Sequence, residues 1–508
     1  MRKLFTSLMV ALAAVAVHAT DYNVPIVVTV NDATSEQTGV ISIVENAEQA
    51  GTYDLTLKNF VLQSENGPMG VGNVALTKIQ SYQDGNATLL LANDKVTITN
   101  GDDPSVPFWM AGMLPPVNVE LRGKIEGDRL YCHLDIDLRE TLQQIIEVRI
   151  GSGYQMPNPS FESWHVSTGD YSEPNAWHSF ESATGELAPL AGHHINQSDD
   201  AHSGNASARI FATSIFGIVA NGTMTTGRMN AGSMTATDKV NCAYLDMSKT
   251  DVDGNGDPFY VPLYSRPDAI SVWVKFKQGT ANSDHPYATI SAVITDGTYY
   301  QDPEDKEYTN VVAKAQNNQI ATTNGAWKQI VIPFVYTGNA VDPKAVLITI
   351  STNADAGKGS ADDEVLVDDI SFIYNAEVTG LKIKGQSVTG FSADNYTYEM
   401  ELNAAFTADD IEVVFAGEKT AHVVKTIETV GNDRLCTVTV INADMSTKAV
   451  YTIKVTGNST AIGNVNINAN VNANANYYTL DGRQVKVLEP GNVYIRHQAD
   501  GTTTKIRR

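Results

Sequence analysis

At 508 residues the chain is too long for one hydrophobic core, and three or four domains are expected. Its formal net charge of −23 argues against nucleic acid and anionic membrane as partners. The acid is spread along the chain rather than gathered in blocks, a pattern that serves solubility. Cys132, Cys242 and Cys436 lie far apart, cannot all pair with one another and have no metal-ligand spacing. Each sits in a strand-like run, where a free cysteine acts as a small buried apolar residue.

The chain opens with Met1-Arg2-Lys3, an apolar run over 8–17 and the small-residue end Val17-His18-Ala19. That order predicts a secretory signal peptide over 1–19 and a protein that is secreted, displayed at the outer-membrane surface or held in the periplasm. The apolar run is too short to span a bilayer, and no transmembrane segment is expected.

Residues 20–153 alternate with period two. Tyr53, Leu55 and Leu57 oppose Thr52, Asp54, Thr56 and Lys58; Leu134, Ile136 and Leu138 oppose His133, Asp135 and Asp137. This predicts half-buried antiparallel strands, with turn spacing that suits a small barrel. Gly51-Thr-Tyr-Asp-Leu-Thr-Leu-Lys-Asn-Phe60, Gly123-Lys-Ile-Glu-Gly-Asp-Arg-Leu130 and the close through Val148-Arg-Ile150 resemble the calycin-like β-barrel domain of Bacteroidetes surface proteins. Calycins often hold apolar ligands, but small barrels are usually filled by their own side chains, and the filled state is expected here. Pro157 and Pro159 predict a short hinge over 154–159.

The central segment, 154–376, reads as strand after strand with long polar loops at 168–200 and 216–264. Asn158-Pro-Ser-Phe-Glu-Ser-Trp164, Ala201-His-Ser-Gly-Asn-Ala-Ser-Ala208 and Val367-Asp-Asp-Ile-Ser-Phe372 resemble landmarks of galactose-binding-like jelly-roll modules. The whole block resembles the PCMD (carbohydrate-metabolism domain) family of gut Bacteroidetes. That resemblance implies that first and last strands meet and that Glu162 and Asp368 bind a structural Ca²⁺, helped by carbonyls near Ser203-Gly204. Alternation puts Asp368 on the face of Leu366, Ile370 and Phe372, a buried side where a carboxylate needs a partner or a metal; the alternatives are a bulge that turns Asp368 to solvent, or an Arg209 partner.

Sugars are gripped by flat aromatic faces and planar polar side chains. The expected ligand-binding set is Trp164, Trp177, His178, His193, His194, Tyr299 and Tyr300, each weighed against ordinary packing. Trp327 reads as core, and Trp273 as facing outward or into a groove. Asp251-Val-Asp-Gly-Asn-Gly-Asp257 has the spacing of half an EF-hand loop, but its twelfth position is Pro262, so a polar turn competes with a surface Ca²⁺ site. Neighbouring His193 and His194 lack a third ligand at recognisable spacing.

Residues 377–457 alternate again and resemble a small Ig- or cadherin-like sandwich that acts as a spacer. The Asn-rich 458–476 reads as a linker. Tyr477-Tyr-Thr-Leu-Asp-Gly-Arg483 and Gly491-Asn-Val-Tyr-Ile-Arg496, within 477–508, resemble the C-terminal sorting tail of type IX secretion, which implies contact with secretion and sorting machinery.

The fold expected is therefore all-β: calycin-like barrel, galactose-binding-like jelly roll, then a small sandwich. No catalytic residue is named by any motif. The function expected is non-catalytic glycan recognition by the jelly roll. The alternatives are a glycoside hydrolase or lyase, which needs two placed carboxylates, and a structural adhesin that binds protein.

Overall fold

A computed structural model describes residues 19–30, 33–62, 68–167, 171–252, 254–416, 421–431, 433–457, 475–479, 483–485, 488, 492–498 and 503–507. Residues 1–18 of the expected signal peptide and 458–474 of the expected linker lie outside them. Among the described residues, no helix is long and apolar enough to cross a membrane.

The chain is all-β, as its alternation predicts. It begins with a closed barrel of β1 (Thr20–Val30), β2 (Ala33–Glu45), β3 (Thr52–Leu62), β4 (Met69–Asp84), β5 (Ala87–Val96), β6 (Val117–Glu126), β7 (Arg129–Asp137) and β8 (Ile145–Ile150). Closure comes from β1 against β8, where Ile26 faces Ile150 and Val30 faces Ile146. Every second side chain points inward. Ile26, Val28, Ile41, Ile43, Leu55, Leu57, Val119, Leu121, Leu134, Ile136 and Val148 fill the lumen as one packed cluster. Cys132 joins them, opposite Gly123, where a Cβ would come within 2.6 Å of the sulfur. Burial pushes the Cys132 thiol up to about 12, which suits an inert core residue.

Two compact units form, and the first takes in the barrel, the central sandwich to Asn375 and the return at Asn442–Thr447. The hinge expected over 154–159 is instead a buried seam. Tyr154, Met156 and Asn158 are almost wholly buried. The Tyr154 hydroxyl donates to Glu126, and its ring lies 4.6 Å from Tyr131. Arg149 donates to the Met156 carbonyl at 2.6 Å, the Asn158 N–H donates to Glu36, and Thr34 and Ser160 bond through their hydroxyls. The prolines set an extended path, and the barrel surface then grips it.

The central sandwich packs two antiparallel sheets. One has the order Ile195–Ser198, Ser207–Phe211, Glu364–Ile373, Ala269–Lys277, Lys328–Pro333. The other runs Thr223–Thr225, Ala345–Ser351, Ala288–Thr295, Val311–Ile320, Val335–Tyr336, with Val261–Pro262 paired to its second strand. Between them lie Ile210, Ile270, Val272, Val274, Ile290, Ile348, Ile350, Val365, Val367, Ile370 and Phe372. The phase of Glu364–Ile373 therefore changes. Val365 and Val367 point inward, then Ile370 and Phe372, because the pairing with Ala269–Lys277 shifts between Ser271 and Trp273, and Asp369 takes φ +45°. Asp368 does not share the Ile370 face, as simple alternation suggested; it stands opposite Trp273 on the outer face.

The second unit holds a three-stranded sheet of Gln386–Ser387, Val378–Ile383 and Ile411–Phe415, and a four-stranded sheet of Thr397–Glu401, Lys448–Thr456, Asp433–Asn442 and Ala421–Val430. At the end of the chain, Gln484–Val485, Ala475–Tyr478, Val493–Gln498 and Thr503–Arg507 form a small sheet around Tyr477, Leu488 and Tyr494.

The seam gives a prediction. Gly153 has φ +93°, and a Cβ there would lie 2.2 Å from the Tyr264 ring. Gly153→Ala should destabilise the protein by about 2–4 kcal/mol in urea denaturation, from backbone strain and overpacking together. Gly51→Ala, at φ +78° with nothing within 4 Å, should cost only about 1 kcal/mol.

Candidate functional site

The two ends of the sandwich meet. The Ile370 N–H donates to the Pro159 carbonyl at 2.8 Å, and Gln155 pairs in both directions with the Phe372 backbone. This brings Glu162 and Asp368 to one loop. Asp368 Oδ2 accepts from the His202 and Ser203 amides at 2.7 and 3.2 Å, and Oδ1 from the Asp369 amide at 2.9 Å. Glu162 Oε1 accepts from the Asn205 and Ala206 amides at 2.8 and 3.0 Å. Gly204 leaves the room this needs, since a Cβ would come within 2.2 Å of Glu162 Oε1. Asp369 completes the clamp through His202 Nδ1 at 2.6 Å and the Ser203 hydroxyl at 2.7 Å.

The calcium expected at Glu162 and Asp368 would need six to eight oxygens. Here backbone N–H donors engage both oxygens of Asp368 and Oε1 of Glu162. Arg209 is not the partner of Asp368; its guanidinium bonds Glu364 at 2.7 Å. Burial, and next the charge of Asp369, push the Asp368 carboxyl up to about 7, against the pull of its three amides.

The clamped loop lies over the outer face of the first sheet. His202 stacks on Trp273 at 3.7 Å and 16°, with Trp327 edge-on at 6.2 Å. Asp200 accepts from Lys275 at 2.5 Å and from the Trp327 indole at 3.2 Å. Trp273 thus faces outward, as its alternation implied. Trp327 is half-exposed rather than core, because it precedes the strand Lys328–Pro333.

The second sheet carries a groove on its outer face, with a volume of about 490 Å³. Register builds its floor: Thr223, Ser351 and Thr289 lie in one row, and Thr349, Ser291 and Gln316 in the next. These are the outward partners of the inward Met224, Ile350, Ile290 and Ala315. Thr289 donates to Asn318 at 2.6 Å. Leu187, Leu190, Ile218 and Met234 supply apolar walls. Asp302 also lines the groove; burial raises its carboxyl pKa, against a hydrogen bond from Ser291. Its volume falls in the usual range for a small-ligand site.

The sequence-chosen ligand residues scatter. Trp177, His178, His194 and Tyr300 are enclosed and show no ring face to solvent, so ligand stacking by them is corrected to packing. Trp177 packs on Phe161 at 5.5 Å, His194 bonds the Ala191 and Phe211 carbonyls at 2.7 and 2.9 Å, and Tyr300 covers Leu347 and Val293. Trp164 is half-buried on the core, with its indole donating to Phe161 at 2.6 Å. His193 is half-buried under Tyr171 at 4.1 Å. Tyr299 is exposed and lies 5.8 Å from Tyr244 and 6.5 Å from Tyr308. The structure does not gather these seven into one site. The groove was missed because its residues are short polar members of ordinary strands; only the register brings them together.

Residues 19–149 match the family model of the calycin-like beta-barrel domain, in agreement with the closed barrel. No curated protein matches the chain. Among solved structures, the crystal structure of a Bacteroides thetaiotaomicron protein proposed to be a glycoside hydrolase aligns with 68% of this chain and 87% of its own, at 13% identity and a TM-score of 0.30.

The raised Asp368 pKa has a definite sign. The folded state holds this proton more tightly than the unfolded chain, so the group's contribution to stability falls as pH rises from about 4 to about 7. Asp368→Asn removes the titration. Relative to that variant, wild-type stability should drop by on the order of 2 kcal/mol between pH 5 and 8 in parallel urea titrations; a pH-independent difference would contradict the assignment.

Proposed function

We propose that this protein binds a saccharide, without transforming it, in the groove on the outer face of the second sheet. The observation that carries this reading is the pairing of a hydroxyl- and amide-bearing floor with apolar walls. A sugar ring has the matching division: hydroxyl edges that exchange hydrogen bonds, and C–H faces that leave water against Leu, Ile and Met side chains. Thr289, Ser291, Gln316, Asn318, Thr349 and Ser351 supply the first surface, and Leu187, Leu190, Ile218 and Met234 the second.

Hydrolysis is the weaker reading for the same groove. A glycosidase sets two carboxyl groups across the bond it cuts. Asp302 is the one carboxyl side chain among the described groove-lining residues, and its raised pKa alone gives half of the required pair. The clamped loop, with its Trp273–His202 stack, supports the opposite face of the same sandwich and leaves the groove open.

The test is a glycan array on the full-length protein, followed by calorimetry on any hit, in calcium and again in chelator. Thr289→Trp, which fills the floor, should weaken binding at least tenfold, about 1.4 kcal/mol. Gln316→Ala should cost about 0.5–1.5 kcal/mol by removing one amide. Binding that survives Thr289→Trp moves the site elsewhere. Cleavage products from the bound glycan establish the hydrolase instead. Affinity lost with chelator restores a calcium requirement.

A further inference from the structure

We propose that His165, Asp251 and Glu173 form a site for a zinc-class divalent transition-metal ion, with His178 packed against Asp251. The site lies within the central sandwich, apart from the groove and the clamped loop, and does not depend on the saccharide reading.

Three segments build it. His165 and Glu173 are direct cross-strand partners in the two-stranded sheet of Trp164–Val166 and Ser172–Pro174. His178 is held to the edge of the second sheet by a pair of backbone bonds with Thr225, at 2.8 and 2.9 Å. Asp251 opens the turn toward Asp257 that the sequence likened to half an EF-hand; its carboxylate points inward, not to the surface. Asp253 lies outside the described residues. Ligand atoms of His165, Glu173 and Asp251 all fall within 4.8 Å of one another. Asp251 Oδ2 is 3.8 Å from His165 Nε2 and 3.9 Å from His178 Nδ1.

Those three atoms are buried and have no hydrogen-bond partner. The three side chains are 9%, 0% and 5% exposed for His165, His178 and Asp251. An orphaned buried polar atom is costly, and three that meet around Asp251 need a common cause. The outer ring nitrogens supply it. His165 Nδ1 lies 3.1 Å from Asn175 Oδ1, and His178 Nε2 lies 3.2 Å from the Pro258 carbonyl. Both outer partners are acceptors, so both outer nitrogens carry a proton, and in the neutral rings the inner nitrogens present lone pairs toward Asp251. This is how second-shell acceptors orient metal-binding imidazoles.

Glu173 lines the remaining side. Its Oε1 accepts from the Ser179 amide at 2.5 Å and from the Ser179 hydroxyl, and Oε2 from Ser167 at 3.3 Å. Gly254 forms the roof. A Cβ there would lie 2.4 Å from Asp251 Oδ2 and 2.9 Å from His165 Nε2, so only glycine lets the backbone cover these atoms.

An imidazole nitrogen in the set suits zinc-class ions; calcium collects oxygens alone. Bonds of 2.0–2.1 Å give tetrahedral edges of about 3.4 Å, so closing on the ion draws the three ligand atoms in from separations within 4.8 Å, Asp251 and His165 from 3.8 Å. Three protein ligands leave a fourth position for water. The ion would join the strand pair of Trp164–Val166 and Ser172–Pro174 to the turn that Asp251 opens. In a chain whose three cysteines are buried and free, it supplies a cross-link that disulfides do not.

The experiment uses the full chain without a polyhistidine tag, stripped with chelator and then given ZnCl₂ or CoCl₂ alone. Zinc should bind at about one equivalent, more tightly than about 1 μM, and raise Tm by several degrees. Cobalt should give the intense visible bands of a four-coordinate site, a readout that needs no variant. His165→Ala and Asp251→Asn should each weaken zinc binding at least tenfold, while His193→Ala leaves it unchanged. Zinc well below one equivalent, cobalt without four-coordinate bands, a Tm rise with CaCl₂ but not ZnCl₂, or wild-type affinity in Asp251→Asn would each overturn the proposal.

Discussion

Backbone N–H groups in the long loops of a β-sandwich have no sheet partner, and each one buried without an acceptor costs about 1–3 kcal/mol. The central sandwich meets this constraint with carboxylates. Asp368 and Glu162 take four amides of the loop at 202–206. Asp363 takes those of Gly279 and Ser360, Glu173 that of Ser179, Asp257 that of Ala176, and Asp268 that of Asn375. The even spread of acid along the chain, which by itself signals solubility, thus has a second use. A carboxylate can hold a loop amide that no ladder reaches.

Seen against these clamps, the surroundings of Asp251 differ in kind. One face of its backbone still supports the turn, since its carbonyl accepts from Gly254 and Gly256 at 3.2 and 2.8 Å. Its Oδ2 faces two imidazole nitrogens at 3.8 and 3.9 Å, beyond hydrogen-bond distance, whereas donor meets acceptor within it throughout the clamps. The Asn175 and Pro258 oxygens hold the outer ring nitrogens.

How much of this was legible in sequence depended on the range of the signal. The barrel was legible because Leu134, Ile136 and Leu138 repeat with the period of a strand, and the lumen needs nothing more. The nearness of Glu162 and Asp368 was legible because a sandwich returns its last strand to its first. The bulge was not: one extra residue at Asp368–Asp369 reverses the face of everything after it, and the alternation Leu366, Ile370, Phe372 conceals the change. Trp177 and His178 sit in a polar stretch that reads as exposed loop, yet it folds back on the core through Phe161 and Phe259. The groups around Asp251 come from three separated segments, and no local spacing announces them.

The filled barrel changes what the N-terminal domain can contribute. Ile41, Leu55, Val119 and Leu134 pack through its lumen, so its own side chains fill that part of the interior. Its outer surface has a traceable effect instead. Glu36 on β2 holds the Asn158 amide, and burial raises the pKa of that carboxyl. Asn158, at φ +41°, closes the turn by bonding Ser163 in both directions and the Asn175 carbonyl. That turn carries Glu162, and Glu162 holds the loop at 202–206. The sequence of contacts runs from barrel wall to sandwich surface with a hydrogen bond at each step. The same turn fixes Asn175, whose side chain orients His165. The barrel therefore acts as the rigid base on which both the clamped loop and the histidine–carboxylate cluster are set.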